Sequence, residues 1–409
     1  MNPALQFLLV LTIIIFAAKA AGYLSTRLGQ AAVLGELLVG LALGPSLLDL
    51  LGWPVFSRGD LSHTIAYLAE LGVIFLMFIA GLEIDLREMV RAGKVALSAG
   101  TMGVVVPVVM GVGIALLFGI APQASLFIGV LLAATSTSIS AQTLLELGML
   151  RSREGLTLIG ASVVADMLVI VAISLLIAFS ADPAQSLSGM GIAWLVLRMI
   201  GFLALSVVLG TLFLPRLTER VANLPISQGL MAFVIVITLF LAWSAEHLGS
   251  LAAIIGAFLA GVLFRNAPLR AHIEEGMHTI TYAFLVPIFF VNIGLETNAR
   301  TLDGRDLLFV VAVCLVAILS KLLGSGGGAR LAGFSNAQAL WVGVGMISRG
   351  EVGLIIASVG LTSGLIGQRL FSVMIIMVLV TTVITPILLK GTFPGKERES
   401  EQPVGAGVG

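Results

Sequence analysis

The sequence predicts an all-α polytopic membrane protein with about thirteen transmembrane helices. Hydrophobic residues make up 58% of its 409 positions and charged residues only 11%, whereas a soluble domain carries roughly 25% charged residues. Apolar stretches long enough to cross about 30 Å of hydrocarbon recur along the whole chain. Two of these stretches are interrupted by polar or charged residues. Paired interruptions of this kind indicate inverted repeats with two crossed, discontinuous helices.

The predicted spans follow one another with short loops between them. They lie at about 3–24, 31–51, 64–83, 95–119, 122–146, 155–180, 189–213, 228–246, 250–265, 277–297, 306–326, 336–362 and 370–390. The first lacks a basic start and a small-residue cleavage site, so we expect it to be retained rather than removed as a signal peptide. Residues 1–391 are therefore predicted to form one transmembrane unit. The polar, glycine-rich stretch 392–409 is expected to be a short disordered tail.

Basic residues are unequally divided between the loops on the two sides of the membrane. Fourteen Lys and Arg residues lie in the loops after odd-numbered spans and in the tail, and four lie in the other loops. By the positive-inside rule, the N-terminus is predicted to be outside and the C-terminus in the cytoplasm.

The fifth span contains a run of hydroxyl side chains, Thr135, Ser136, Thr137 and Ser138, followed by Ser140. Such side chains compete with the helix backbone for hydrogen bonds. At membrane depth the run predicts a bent helix or an unwound segment that lines a polar cavity. The alternative is that all five hydroxyls bond back to their own helix.

The twelfth span contains Arg349 and Glu351 together with three glycines, Gly343, Gly345 and Gly350, in the segment GVGMISRGE. Two opposite charges at membrane depth fit an unwound stretch whose dipole ends they neutralise. A purely structural ion pair between the two side chains would explain the same pattern.

Two further ionisable residues lie inside spans. Asp166 has about ten uncharged residues on either side, and a lone carboxylate near the bilayer centre costs at least about 2.5 kcal/mol. Lys321 lies in the eleventh span. Each residue neighbours an interrupted span, so we expect the ion-binding site where the interruptions cross. Cys314 is the only cysteine, which excludes an internal disulfide.

Five segments together resemble bacterial sodium/proton antiporters of the monovalent cation:proton antiporter-2 family. They are GELLVGLALGPSLL at 35–48, FLMFIAGLEIDL at 75–86, AATSTSISAQTLLELG at 133–148, VPIFFVNIGLE at 286–296 and GMISRGEVGLI at 345–355. The resemblance covers nearly the whole chain in order and implies the sodium/proton antiporter fold, without a C-terminal nucleotide-binding regulatory domain. It implies a prokaryotic cytoplasmic membrane protein that forms a homodimer. The core domain would comprise about 95–180 and 306–390, and the remaining helices would form the dimer interface.

The resemblance also assigns roles to individual residues. Asp166 matches the essential ion-binding aspartate and Lys321 the lysine of the core helix. Many electrogenic members have two adjacent aspartates, and here the first position is Ala165. Because that first carboxylate is thought to pair with the lysine, Lys321 is expected to lack a fixed partner, or to pair with Asp166 when no cation is bound.

Thr135 and Ser136 match the first crossing segment of the family, and Arg349 with Glu351 matches the second. The expected cation ligands are Asp166 and Thr135, with freed carbonyls nearby. Asn292 is a polar residue within a span; it either joins two helices by a hydrogen bond or lies near the site.

The expected mechanism is exchange of a monovalent cation, sodium, for protons by alternating access. A carboxylate in a low-dielectric cavity tolerates a proton or a cation but not its empty charged form. If only Asp166 titrates, one proton exchanges for one cation and transport is electroneutral. If Lys321 also releases a proton, transport is electrogenic. We expect the first case because Ala165 removes a carboxylate.

Other functions remain as alternatives. A potassium/proton antiporter and a passive cation channel fit the same polar residues. In a symporter of organic anions, Asp166 would repel the substrate. Neither a nucleophile-and-base set nor a cofactor motif is visible in the sequence, so an enzyme is not expected. The expected partners are the lipid bilayer, a second copy of the chain and the monovalent cation. No cofactor, transition-metal site or nucleic-acid partner is expected.

Overall fold

The computed structural model describes residues 2–56, 61–83, 93–136, 139–140, 143–144, 147, 149, 152–181 and 189–392, and within them it is all-helical. Helices α1 to α16 are Pro3–Arg27, Ala32–Leu43, Leu61–Glu83, Gly93–Leu117, Pro122–Ala133, Arg153–Ala181, Gly189–Ala222, Gly229–His247, Ala253–Phe264, Arg270–Ile280, Val286–Glu296, Gly304–Lys321, Gly327–Leu331, Asn336–Gly345, Glu351–Thr362 and Gln368–Thr392. Short 3₁₀ helices lie at Leu50–Gly52 and Ala299–Thr301. A π-helical turn, Thr281–Leu285, joins α10 to α11, and another, Leu322–Gly326, joins α12 to α13.

The all-helical membrane architecture is confirmed, but the count of thirteen spans is not. Nine helical stretches of the described part are long and apolar enough to cross a bilayer, with α10–α11 and α12–α13 each forming one stretch. The spans predicted at 31–51 and 250–265 contain α2 and α9, which have 12 residues each. A helix of that length measures about 18 Å, less than the hydrocarbon thickness.

The chain forms two compact units. The first comprises Met1–Asp85 and Ile170–Thr301, and the second comprises Leu86–Val169 and Leu302–Gly409. Helix α6 contributes its first part to the second unit and its last part to the first.

The first unit is held together by apolar packing and close backbone contacts. Ile14 of α1, Ile65 of α3 and Ile288 of α11 belong to one fully buried cluster. The backbones of helices α2 and α11 lie close together. A Cβ added at Gly40 would lie only 2.6 Å from the Val291 carbonyl oxygen. Small residues at such contacts are typical of helix packing in membranes.

In the second unit, α4 packs closely against the stretch from α12 to α13. A Cβ added at Gly324 or Gly328 would lie 2.5 or 2.6 Å from a carbonyl oxygen of α4. The Ser98 hydroxyl of α4 donates to the Gly328 carbonyl at 2.9 Å. These glycines therefore let the backbone that follows Lys321 lie directly on α4.

The start of α12 is fixed by a capping box. The Asp303 carboxylate accepts from the backbone N–H groups of Arg305 and Asp306, at 2.9 and 3.0 Å. Arg369 of α16 forms ion pairs with Asp303 at 2.7 Å and with Asp306 at 2.5 Å. The hydrogen bond from the Asp306 backbone, followed by that from Arg369, lowers the pKa of Asp303 from its usual value. The carboxylate is therefore charged at neutral pH, as the cap requires.

The contact between α4 and α13 predicts different effects at two neighbouring glycines. Gly328→Ala places a Cβ against the Ser98 carbonyl and should destabilise the protein by about 1–3 kcal/mol, the usual cost of overpacking. In Gly327→Ala the new Cβ has no neighbour within 4 Å, so this control should be neutral or slightly stabilising. Thermal unfolding in detergent measures both, and equal stability of the two variants would contradict the packing described.

Candidate functional site

Both predicted interruptions are present in the second unit, and they contact each other. Helix α5 ends at Ala133 and is followed by the non-helical residues 134–136, while residues 346–350 separate α14 from α15. The Ser136 backbone N–H donates to the Ser348 carbonyl at 2.8 Å. The Ser140 hydroxyl donates to the Gly345 carbonyl at 2.5 Å. The two broken helices therefore meet through the backbone of their unwound residues and through the Ser140 side chain.

The hydroxyl run of the fifth span is thus an unwound segment where it is described, and the Thr135, Ser136 and Ser140 side chains are fully buried. Thr137 lies outside the described residues. Glu351 begins α15, but its side chain also lies outside them.

Lys321 is fully buried at the end of α12. Its ammonium donates to the Gly103 carbonyl at 2.8 Å, to the Ala133 carbonyl at 2.7 Å and to the Thr135 hydroxyl at 2.7 Å. Three hydrogen bonds match the three donors of an ammonium group. The prediction that Lys321 lacks a fixed partner is therefore wrong. Its partners are an oxygen of α4 and oxygens that become available where α5 unwinds.

Arg349 is also fully buried. Its Nε and one terminal nitrogen donate to the Leu132 carbonyl of α5 at 3.1 and 2.7 Å, and its other terminal nitrogen donates to the Ile347 carbonyl. Arg349 thus binds the end of the other broken helix. The charge pattern of the sequence predicted only a pair with Glu351.

The carboxyl end of α5 therefore contacts two buried cations, Arg349 at Leu132 and Lys321 at Ala133. Helix ends leave backbone carbonyls without intrahelical partners, and the helix dipole makes this end negative. The two cations satisfy these carbonyls, and the carbonyls in turn compensate the desolvation of the cations.

Asp166 lies in the middle of α6 and is half-buried, whereas the preceding Ala165 is fully buried. Its carboxylate interacts electrostatically with the ammonium of Lys321. Asp166 and Lys321 therefore lie within range of each other's charge. Asp166 as a residue is partly exposed, but the Oδ1 atom of its carboxylate is buried.

Asn292 belongs to the first unit, on α11, and is 6% exposed. Its side-chain amide donates to Glu296 Oε1 at 2.9 Å. This contact lies within a single helix, at the spacing of one turn. It is not a bond between helices, which is one of the two roles expected for Asn292.

Sequence reasoning missed a contact that aligns α14 with the helix that carries Asp166. Gln338 of α14 donates to the buried Glu154 carboxylate at 2.7 Å and also accepts from the Ser335 backbone at 3.0 Å. Farther along, Gly345 packs directly against Leu158 of α6. The Ser335–Gln338 capping box was a readable signal for the start of α14, but its partner Glu154 was not.

No group of three or more His, Cys, Asp or Glu side chains suited to a metal ion occurs among the described residues. Among the described side chains, the crossing and its surroundings offer one carboxylate, two buried cations and hydroxyls, together with unwound backbone. Such oxygens suit a hard monovalent cation.

Comparisons with known proteins agree with this arrangement. A solved structure of the sodium proton antiporter MjNhaP1 from Methanocaldococcus jannaschii matches with a TM-score of 0.72 and 16% identity, covering 96% of this chain and 98% of that one. At 16% identity, the two chains are similar in fold and not in sequence.

Sequence relatives extend over nearly the whole chain. The Na(+)/H(+)-K(+) antiporter GerN of Bacillus cereus is 37% identical over 96% of this chain and 98% of its own length. A Na(+)/H(+) antiporter of Enterococcus hirae is 35% identical over 94% and 98%, respectively. Residues 10–393 match the family model described as sodium/hydrogen exchanger, transmembrane. The chain therefore belongs to the sodium/hydrogen exchanger family, a family of membrane transporters rather than enzymes.

Proposed function

We propose that the chain exchanges sodium for protons by alternating access, and that the two ions compete for Asp166. The observation that carries this proposal is the position of Asp166. It is a half-buried carboxylate in the middle of an apolar helix, beside the buried Lys321 and the crossing of two unwound segments. A carboxylate at this depth is costly unless it has a function.

Competition at one carboxylate gives coupled exchange. The empty, charged form of Asp166 is unfavourable in a low-dielectric cavity, whereas the protonated or cation-bound form is tolerated. If the unit crosses between its two orientations only in a loaded form, a cation moves one way and a proton the other. A passive channel would need no titrating group at this position.

The crossing supplies further oxygens to the cation. We place Thr135 beside Asp166 as a second ligand, because a hydroxyl oxygen that accepts one hydrogen bond from Lys321 retains a second lone pair. Ser136 and Thr137 continue the first crossing segment. Arg349 and Glu351 support the second, and Arg349 does so through the Leu132 carbonyl.

The contacts of Lys321 support an exchange of one proton for one cation. Its three donors are held by two backbone carbonyls and the Thr135 hydroxyl, so its charge does not depend on a second carboxylate at position 165. Lys321 then remains charged in both states, and Asp166 alone gains and loses a proton. Asn292, whose amide is occupied by Glu296 within the first unit, takes no part in this step.

We assign the transport core to the second unit and the contact surface of a homodimer to the first. Two candidate spans have the smallest share of buried residues, 22% in Ala4–Arg27 and 17% in Leu197–Ala222. Both belong to the first unit and present wide apolar faces. In the proposed orientation the protein lies in the cytoplasmic membrane of a prokaryote, with its N-terminus outside and its C-terminus in the cytoplasm, as the distribution of basic residues indicates.

Potassium is the second candidate cation. The relative GerN carries both sodium and potassium in its name, and its similarity extends over the whole transport unit. Selectivity depends on the number and field strength of the coordinating oxygens, so both ions are included in the experiment below.

The central prediction concerns Asp166→Asn. The amide cannot bind a proton and a cation in turn, so proton movement driven by sodium or potassium should be lost. Proton flux in proteoliposomes, on adding each cation, measures this. Asp49→Asn is the control, because Asp49 is exposed and has a left-handed backbone that Asn also tolerates. Cation-driven proton movement that survives in Asp166→Asn would contradict the proposal, and cation flux without proton movement would favour a channel.

A second prediction concerns the membrane potential. Because only Asp166 is expected to titrate, one-for-one exchange moves no net charge and its rate should not respond to voltage. The rate of sodium-driven proton movement is measured in proteoliposomes with and without an imposed chloride diffusion potential. A rate that changes with the potential would show that a second group, Lys321 above all, releases a proton as well.

A further inference from the structure

The second crossing segment contains a buried hydroxyl that no hydrogen bond accounts for. Ser348 is fully buried, in the unwound residues between α14 and α15. Its Oγ has no hydrogen-bond partner among the residues that the structure describes. A buried hydroxyl in that condition destabilises the fold by its full desolvation cost, and such an atom in a native protein requires an explanation.

Neighbouring polar groups of the same segment are satisfied. The Ser348 carbonyl accepts from the Ser136 backbone at 2.8 Å, and the Gly345 carbonyl accepts from the Ser140 hydroxyl at 2.5 Å. The Ile347 carbonyl accepts from the Arg349 side chain. The Ser348 hydroxyl therefore differs from these neighbouring groups, because it has no described hydrogen-bond partner.

A short series of contacts connects Ser348 to Asp166. Ser348 bonds to Ser136 through the backbone, and the adjacent Thr135 hydroxyl accepts from Lys321. Lys321 in turn interacts electrostatically with Asp166. All of these residues belong to the second unit, and the contacts join the unwound segment that carries Ser348 to the surroundings of the carboxylate.

We propose that the Ser348 hydroxyl oxygen is a ligand of the transported cation. This inference rests on the proposed function and adds a ligand from the second crossing segment to Asp166 and Thr135 from the rest of the site. The hydroxyl oxygen has no described hydrogen-bond partner, and a cation at the crossing would supply one. Part of the binding energy of the cation therefore comes from relief of an unfavourable buried atom.

A second buried hydroxyl provides a matched control. Ser325 Oγ is also without a partner among the described residues. It lies in the π-helical turn Leu322–Gly326 and packs directly against the backbone of Gly103. Ser325 is thus part of the contact between two helices and not of the unwound crossing, so it shares the chemistry of Ser348 but not its position.

The test compares Ser348→Ala with Ser325→Ala in two measurements. The first is the rise in Tm of the purified full-length protein on adding sodium chloride, with choline chloride as the ionic-strength reference. The second is the apparent KM for sodium and the kcat of proton movement in proteoliposomes. Neither substitution removes a described hydrogen bond, so both variants should have a Tm without sodium that equals or exceeds that of the wild type.

For Ser348→Ala we expect a reduced sodium-dependent rise in Tm and an increase of about tenfold in KM with kcat retained, the loss expected when a polar contact to a charged group is removed. For Ser325→Ala we expect wild-type values. Wild-type KM and Tm response in Ser348→Ala, or equal effects of both substitutions, would overturn the inference. If Ser348→Ala does not fold, Ser348→Cys replaces it, since a thiol is a poor ligand for a hard cation, and wild-type KM in that variant would overturn the inference equally.

The outcome also separates this inference from the proposed function. If the wild type moves protons in response to sodium and Asp166→Asn does not, the function stands whatever Ser348→Ala does. If the wild type shows no proton movement with sodium or potassium, the function and the inference fail together.

Discussion

The interaction on which the second unit depends is the capping of one broken helix by two buried cations. Unwinding α5 at Ala133 leaves carbonyls without helical partners in an apolar environment, where each unsatisfied group costs several kcal/mol. Arg349 and Lys321 satisfy the last two of them. Both cations are fully buried, and they are tolerable there only because these oxygens bind them. The break in α5 and the two cations therefore require one another, because removing any one of the three leaves buried polar groups without these hydrogen-bond partners.

This interaction fixes the surroundings of Asp166. Lys321 is held between α4, α5 and the Thr135 hydroxyl, so its positive charge has a defined place beside the carboxylate. A proton or a cation at Asp166 therefore binds to a carboxylate that already has one positive neighbour, and the hydroxyls and unwound carbonyls must offset that repulsion. With Ala165 in place of a second acid, the chain meets this demand with a single carboxylate. Two backbone carbonyls and the Thr135 hydroxyl, rather than a second acid, supply the counterpart of the lysine.

Much of this arrangement was predictable from the sequence, because the cost of polar groups at membrane depth is large. The hydroxyl run near Thr135 and the charged, glycine-rich run near Arg349 each predicted an interruption, and both interruptions are present. Apart from the Thr135 hydroxyl, the partners of Lys321 and Arg349 were not predictable, since they are backbone carbonyls that any residue could provide. The close approach of α4, which brings the Gly103 carbonyl to Lys321, depends on glycines whose packing role has no signature in one sequence. The span count failed for a similar reason, because apolar composition does not show that α2 and α9 end after 12 residues.

In the proposed mechanism, cation and proton exclude each other at Asp166. The most direct test of this exclusion is the number of protons released when sodium binds to the purified protein, obtained by titration calorimetry in buffers of different ionisation enthalpy. The account predicts about one proton released per cation bound at a pH where Asp166 is protonated, since a carboxylate cannot hold both. Binding of sodium with no proton released would contradict it.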